Sequence, residues 1–252
     1  MSGFEDIMDR LKSRAAPDPA MQREEYECLK CRDTGWIECK DGNGYTFMKH
    51  CDCWAVKEAR RLMKQSGISL EFQNKGFKDF DTRGNPQLVN AKNKAVGFLD
   101  SFAECEKTRY NSILFCGQVG AGKTHLGVAI CNNLMNRNVA VCYMAYRNAV
   151  TKIKQVMTDE PEYNRVLRPY MQTRVLYIDD LLKGRVTESD VNILYEIVNY
   201  RYMNNLPMII STEKSIEGLL EFDEAIGSRI IEMCRGNIVQ LRGKELNYRL
   251  TS

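Results

Sequence analysis

Five short apolar runs mark the chain from residue 111 onward, at 113–116, 139–143, 174–180, 207–212 and 237–241, each separated from the next by a segment of helix length. That alternation predicts a parallel α/β sheet with flanking helices. Upstream, Phe4, Ile7, Met8 and Leu11 fall at i, i+3, i+4 and i+7, a short amphipathic helix that Pro17 and Pro19 separate from the rest of the chain. A piece of this kind at a terminus either folds back on its own domain or docks on a partner. Residues 54–66 again have helical period, with Gly67 as a stop and Lys57, Arg60, Arg61 and Lys64 along one stripe. The stripe is either a solvated face or a surface for nucleic acid or an acidic partner. Regular pattern then lapses through 67–80, where Phe72, Phe77 and Phe80 are spaced among charged residues. The boundaries expected are a first domain over 1–68, a linker over 69–80 and a second domain over 81–252.

Composition narrows this picture. The 252 residues, 44% of them hydrophobic, suffice for one large or two small domains with a real core. No apolar run approaches the ~18 residues of a membrane span, and residues 1–14 alternate acid and base, so neither membrane insertion nor export is expected. Ten cysteines without an export signal imply a reducing compartment, where clustered thiols hold metal more often than they form disulfides. A net charge of +3 is too small to argue for nucleic acid except through local patches.

The first apolar run ends in Gly117-Gln-Val-Gly-Ala-Gly-Lys-Thr-His125, which fills every fixed position of G-x-x-x-x-G-K-[ST] between a strand and a helix over 124–136. Gly117, Gly120 and Gly122 let the backbone bring its N–H groups to phosphate oxygens, with Gln118, Val119 and Ala121 between them and His125 entering the helix. The helix turns its positive end to the same charge. Lys123 is placed for the β- and γ-phosphates of ATP and Thr124 for Mg²⁺. Asp179 and Asp180 end the third run, at the carboxyl edge where an open α/β sheet binds its ligands. Asp179 suits Mg²⁺, and Asp180 suits orienting or deprotonating the attacking water. Phe72, Phe77 and Phe80 either pack near the adenine or fill the domain edge.

A second motif, Cys28-x-x-Cys31 followed after nineteen intervening residues by Cys51-x-Cys53, offers four thiolates to a tetrahedral Zn²⁺. Cys39 and His50 lie in the same segment as possible substitutes. Gly35, Gly42 and Gly44 predict a β-hairpin that carries the two pairs together.

From about residue 77 to 249 the chain resembles the AAA+ ATPases, and most closely the DnaC/DnaI-type bacterial and phage replicative helicase loaders. The resemblance rests on the phosphate loop, on Tyr-Ile-Asp-Asp180, on Tyr195-Glu-Ile-Val-Asn-Tyr-Arg-Tyr202 before Pro207-Met-Ile-Ile-Ser-Thr212, on Ile226-Gly-Ser-Arg229 and on Asn247-Tyr-Arg249. The cysteine module together with Ser66-Gly-Ile68 looks like the zinc-binding amino-terminal, helicase-interacting domain of the DnaI-type branch. The resemblance implies a P-loop AAA+ sheet of five parallel strands, preceded by a small zinc-binding α+β domain. It also implies that Ser211 and Thr212 sense the γ-phosphate, that Arg229 is an arginine finger given to a neighbour's nucleotide, and that Arg249 is a sensor-2 arginine. The function implied is a cytoplasmic ATPase that loads a hexameric DnaB-type replicative helicase on single-stranded DNA, associates with itself through its AAA+ domain, and uses slow hydrolysis as its switch. The second carboxylate is Asp where the family commonly has Glu, and Glu213 stands where related chains often have asparagine.

The segment 146–174 matches the insertion through which initiator-type relatives contact single-stranded DNA. Arg147, Lys152, Lys154, Arg165, Arg168 and Arg174 beside Tyr146, Tyr163 and Tyr170 supply cations and stacking faces, diluted by Asp159, Glu160 and Glu162. Two other readings stay open: an IstB-like ATPase that assists transposition, and a zinc-dependent adaptor whose nucleotide site is structural.

Overall fold

The computed structural model describes residues 26–65, 71 and 74–251, and places them in two compact units divided between Cys51 and Asp52. The amphipathic helix expected at Phe4 to Leu11, the Ser66-Gly-Ile68 stretch, Phe72 and the side chain of Lys64 lie outside the described residues.

In the first unit, β1 (Trp36–Lys40) and β2 (Thr46–His50) form the expected antiparallel hairpin, in the register Trp36↔His50 to Lys40↔Thr46. The turn is closed by Asp41, whose Oδ1 accepts from the N–H groups of Asn43 and Tyr45, both at 2.9 Å. This is an Asx-type device that lets Gly44 take φ +86°.

The second unit opens with α1 (Asp52–Gln65). Its buried residues Val56, Ala59 and Met63 join the core against one face of the large sheet, so α1 packs with this unit. After a 3₁₀ turn (Phe77–Asp79) come α2 (Pro86–Asp100), α3 (Phe102–Cys105), β3 (Ile113–Gly117), α4 (Lys123–Asn136), β4 (Val141–Ala145), α5 (Tyr146–Gln155) and α6 (Glu160–Gln172). The chain continues through β5 (Val175–Leu181), α7 (Glu188–Met203), β6 (Met208–Thr212), α8 (Ile216–Phe222), α9 (Glu224–Met233), β7 (Ile238–Leu241), a second 3₁₀ turn (Lys244–Leu246) and α10 (Tyr248–Thr251). The strands form one parallel sheet in the order β4-β5-β6-β3-β7, in agreement with the alternation of apolar runs. Alternate residues face the two layers: Ile113 and Phe115 pack toward α2 and α4, Leu114 and Cys116 toward the layer containing α7 and α9. Among the described residues no helix is long and apolar enough to cross a membrane.

One fully buried charge holds the second layer to the sheet. Arg201, on α7, donates from Nη1 to the carbonyls of Tyr170, Met171 and Thr173 at 2.9–3.1 Å, and from Nη2 to those of Arg174 and Pro207 at 3.3 and 2.7 Å. The guanidinium thereby serves the orphan carbonyls at the end of α6 and the entries to β5 and β6. Arg201→Met is expected to destabilise the protein by about 3–5 kcal/mol in a denaturant titration, because it removes the buried donor shared by five carbonyls, four part-buried and one buried. A loss below about 1 kcal/mol would show that water reaches these carbonyls.

Candidate functional site

The loop after β3 is shaped by contacts that only glycine permits. A Cβ on Gly117 would lie 2.2 Å from the Leu241 carbonyl oxygen, and one on Gly122 2.5 Å from the Phe80 ring. Both residues have positive φ, +102° and +79°. The loop thus lies tight between β7 and the segment before α2, and α4 begins where it ends. Lys123 is nearly enclosed, and its Nζ donates to the carbonyls of Gly117 at 2.9 Å and Gln118 at 2.6 Å. Burial lowers its pKa, opposed by the negative charges of Glu213 and Asp180.

Asp179, near the end of β5, is the acceptor of four hydroxyl bonds. Oδ1 receives Thr124 at 3.0 Å, Tyr177 at 2.7 Å and Ser211, and Oδ2 receives Tyr143 at 2.8 Å. These donors come from α4, β5, β6 and β4, so the carboxylate is located by the sheet itself. Burial and the adjacent Asp179 charge hold both tyrosine hydroxyls far above the usual phenol range. Asp180 is aimed differently. The pairing of β5 with β6 is interrupted between Ile178 and Leu181, and Asp180 and Leu182 take φ +55° and +62°. Non-glycine residues rarely adopt such angles outside sites that over-determine them. The Asp180 N–H donates to Ser211 Oγ at 2.9 Å, while its Oδ2 accepts from Lys183 at 2.7 Å.

These groups line a cavity of about 540 Å³, within the usual range for a small-molecule site. Val119, Gly120, Gly122, Lys123, Thr124, Asp179, Asp180, Lys183 and Glu213 line it, as do Phe80, Asp81, His125, Tyr248 and Arg249. His125 is held by the Gly76 carbonyl at 2.9 Å and lies edge-on to Phe80, and burial depresses its pKa. The cavity therefore brings together Lys123, Thr124, Asp179, Asp180 and Arg249. Gly117, Gln118 and Ala121 shape the loop from behind. Thr212 is wholly buried and gives its hydroxyl to the Leu181 carbonyl at 2.8 Å, so it is Ser211 that connects β6 to the carboxylates. Arg229 is not among the residues lining the cavity.

The segment 146–174 differs from the stacking surface expected. Tyr146 is buried, Tyr163 donates to Glu196 at 2.7 Å, and four of its cations are engaged: Arg147 and Lys154 with Asp190, Arg165 with Glu162, and Arg174 with Glu106. Lys152 and Arg168 remain exposed.

In the cysteine module, Asp33 accepts the N–H groups of Glu27 and Cys28 at 3.0 and 3.1 Å, which bends the chain around the first pair. The sulfurs of Cys28, Cys31, Cys51 and Cys53 lie within 4.8 Å of one another, and those of Cys28 and Cys51 are 3.7 Å apart. That separation is far beyond a disulfide and close to the edge of about 3.8 Å that Zn–S bonds of about 2.3 Å give in a tetrahedron. Cys39 pairs across the hairpin with Phe47, and His50 stacks on Trp36, so neither belongs to the cluster.

A phosphate loop opening a helix, facing a carboxylate held from the neighbouring strands of a 4-5-6-3-7 parallel sheet, defines an ATPase of the AAA+ class. Residues 86–234 match the family model of the bacterial DnaA ATPase domain. The phage-like element PBSX protein XkdC of Bacillus subtilis (strain 168) is 36% identical over 98% of this chain and 97% of its own length. The replicative helicase loader DnaC of Escherichia coli (strain K12) is 27% identical over 70% of this chain and 69% of its own. The crystal structure of DnaI superposes with a TM-score of 0.57 at 22% identity, covering 70% of this chain and 93% of that one. The chain belongs to this family of AAA+ ATPases, which it shares with DnaC-type loaders.

Proposed function

We propose that this protein is an ATP-controlled loader that places a hexameric DnaB-type replicative helicase on single-stranded DNA during DNA replication. The observation that carries the reading is a four-cysteine module joined to an AAA+ nucleotide cavity, in a chain similar in sequence to a named helicase loader. In this reading the protein works in the cytoplasm, residues 1–68 engage the helicase, and residues 81–252 bind nucleotide and associate with further copies.

Lys123 holds the β- and γ-phosphates, and Arg249, on the cavity wall, faces the same nucleotide. Thr124 and Asp179 are the residues that would hold Mg²⁺, which when bound neutralises developing phosphate charge. Asp180 orients or deprotonates the attacking water, and Ser211, bonded to both aspartates, carries the state of the site into β6. The catalytic role expected of Thr212 is indirect, through the Leu181 carbonyl it supports.

Capture from native cell extract with ATP, combined with turnover measured with and without single-stranded DNA, tests this reading. It should retain the replicative helicase and show DNA-stimulated hydrolysis. Retention of a transposase instead would support the IstB-like role. A turnover that neither DNA nor partner changes would support the adaptor.

We also assign one Zn²⁺ to Cys28, Cys31, Cys51 and Cys53. Elemental analysis of protein purified without chelator should find about one zinc per chain, and Cys28→Ser with Cys51→Ser should lose it. Unchanged zinc content in that double variant would refute the ligand set.

A further inference from the structure

Lys183 shares the cavity lining with Lys123, Thr124, Asp179 and Asp180, and no feature of the phosphate-loop motif requires a lysine there. It lies three residues after Asp180, and its Nζ is 2.7 Å from Asp180 Oδ2 and 3.3 Å from Glu213 Oε1. All three side chains face the cavity beside Lys123 and Thr124. The bridge is half open to solvent, so its ammonium is reachable by a ligand. It is also fixed in place: Asp180 is held by its backbone bond to Ser211, and Glu213 directly succeeds β6.

Charge explains why a second cation belongs here. Asp179, Asp180 and Glu213 place three carboxylates in the lining that Lys123 and Lys183 share, and the lining's other two basic residues with fixed charge, Lys75 and Arg249, come from segments distant from these carboxylates in the chain. A triphosphate tail brings further negative charge into a partly enclosed site, where opposing charges a few ångströms apart interact several times more strongly than in water. Lys183 bridges two carboxylates that come from different strands, Asp180 on β5 and Glu213 just after β6.

We propose that Lys183 is a second γ-phosphate cation, set in position by Asp180 and Glu213, and that it makes this site discriminate ATP from ADP. Resting on the nucleotide reading of the cavity, the inference adds a residue that senses the terminal phosphate. When Lys183 turns to that phosphate it leaves Asp180, whose carboxylate is then available to the attacking water. Lys183 thus ties recognition of the triphosphate to release of the group that acts on it. A surface ion pair with no ligand role would have little effect on either nucleotide and would not distinguish the two.

The test is calorimetric titration of the full chain with Mg²⁺ and either ADP or a non-hydrolysable ATP analogue, comparing the parent with Lys183→Ala and Lys183→Arg. Lys183→Ala should weaken the ATP analogue by about tenfold or more and leave ADP within about twofold; Lys183→Arg should recover most of the loss. Equal weakening of both nucleotides, or no weakening of the analogue, would overturn the inference while leaving the nucleotide site intact. A parent protein that bound neither nucleotide would remove the site reading and this inference together. Melting curves of the variants should lie close to the parent's, since the side chain is half exposed and its ion pairs are partly solvated.

Discussion

Lys123→Ala is expected to lower ATP turnover by about 10²–10³-fold, which for a slow ATPase lies below detection, while the fold survives. Lys123 is the one cation within the phosphate loop, and its ammonium reaches the loop carbonyls of Gly117 and Gln118. Those carbonyls make the position informative. Without ligand they hold the ammonium in the cradle, and a triphosphate then competes for a cation already located there. Burial lowers its pKa, opposed by the negative charges of Glu213 and Asp180, so a bound phosphate would favour its charged form. Removing it leaves two carbonyls without a donor, a loss of about 1–3 kcal/mol that water at the cavity mouth partly repairs. Turnover assayed beside a melting curve separates the two effects. Normal hydrolysis by a folded Lys123→Ala protein would exclude this cavity as the catalytic site.

How much of this site is legible in the sequence depends on how far apart its parts lie in the chain. The phosphate loop is local, and its strand, glycines and helix appear in the order and lengths expected, with the strand 113–116 extended to Gly117 and the helix beginning at Lys123. The five strands are legible for the same reason, each a short apolar run between polar segments, with ends displaced by at most two residues. The hydroxyl clamp on Asp179 is not. Tyr143, Tyr177 and Ser211 are ordinary strand residues in sequence, and only the lateral register, with Ala145 opposite Asp179 and Ile210 opposite Ile178, brings them to one carboxylate. Helix α1 shows the opposite case. Its basic stripe is the conspicuous feature in sequence, but Val56, Ala59 and Met63 on another face decide where it packs. Tyr146 lies among cations, which suggests a base-stacking role, yet it succeeds β4 without a loop and is carried directly into the core.

Arg229→Ala is expected to bind ATP as the parent does and to hydrolyse it about 10³-fold more slowly, the outcome that distinguishes an arginine finger acting on a neighbour's nucleotide, as we propose, from a structural side chain. Arg229 lies on α9, outside the set of residues lining its own cavity, so any direct action on a γ-phosphate must be on that of another copy. Its Nη1 donates to the Ala225 carbonyl at 2.7 Å, and the guanidinium lies 5.4 and 5.3 Å from the Tyr195 and Tyr202 rings. Tyr195 is exposed and Arg229 itself half-buried, so solvent reaches part of the arginine while its Nε is enclosed. A cation–π contact there is worth about 0.5–1 kcal/mol, so a purely structural Arg229 would lower stability slightly on removal and leave the rate almost unchanged. Mixing separates these outcomes further. Lys123→Ala lacks the phosphate-binding half of a composite site and Arg229→Ala lacks the finger, so the two inactive proteins together should regain part of the parental rate through interfaces that pair an intact cavity with an intact finger. Parental turnover by Arg229→Ala alone, at every protein and DNA concentration, would end the trans-finger assignment.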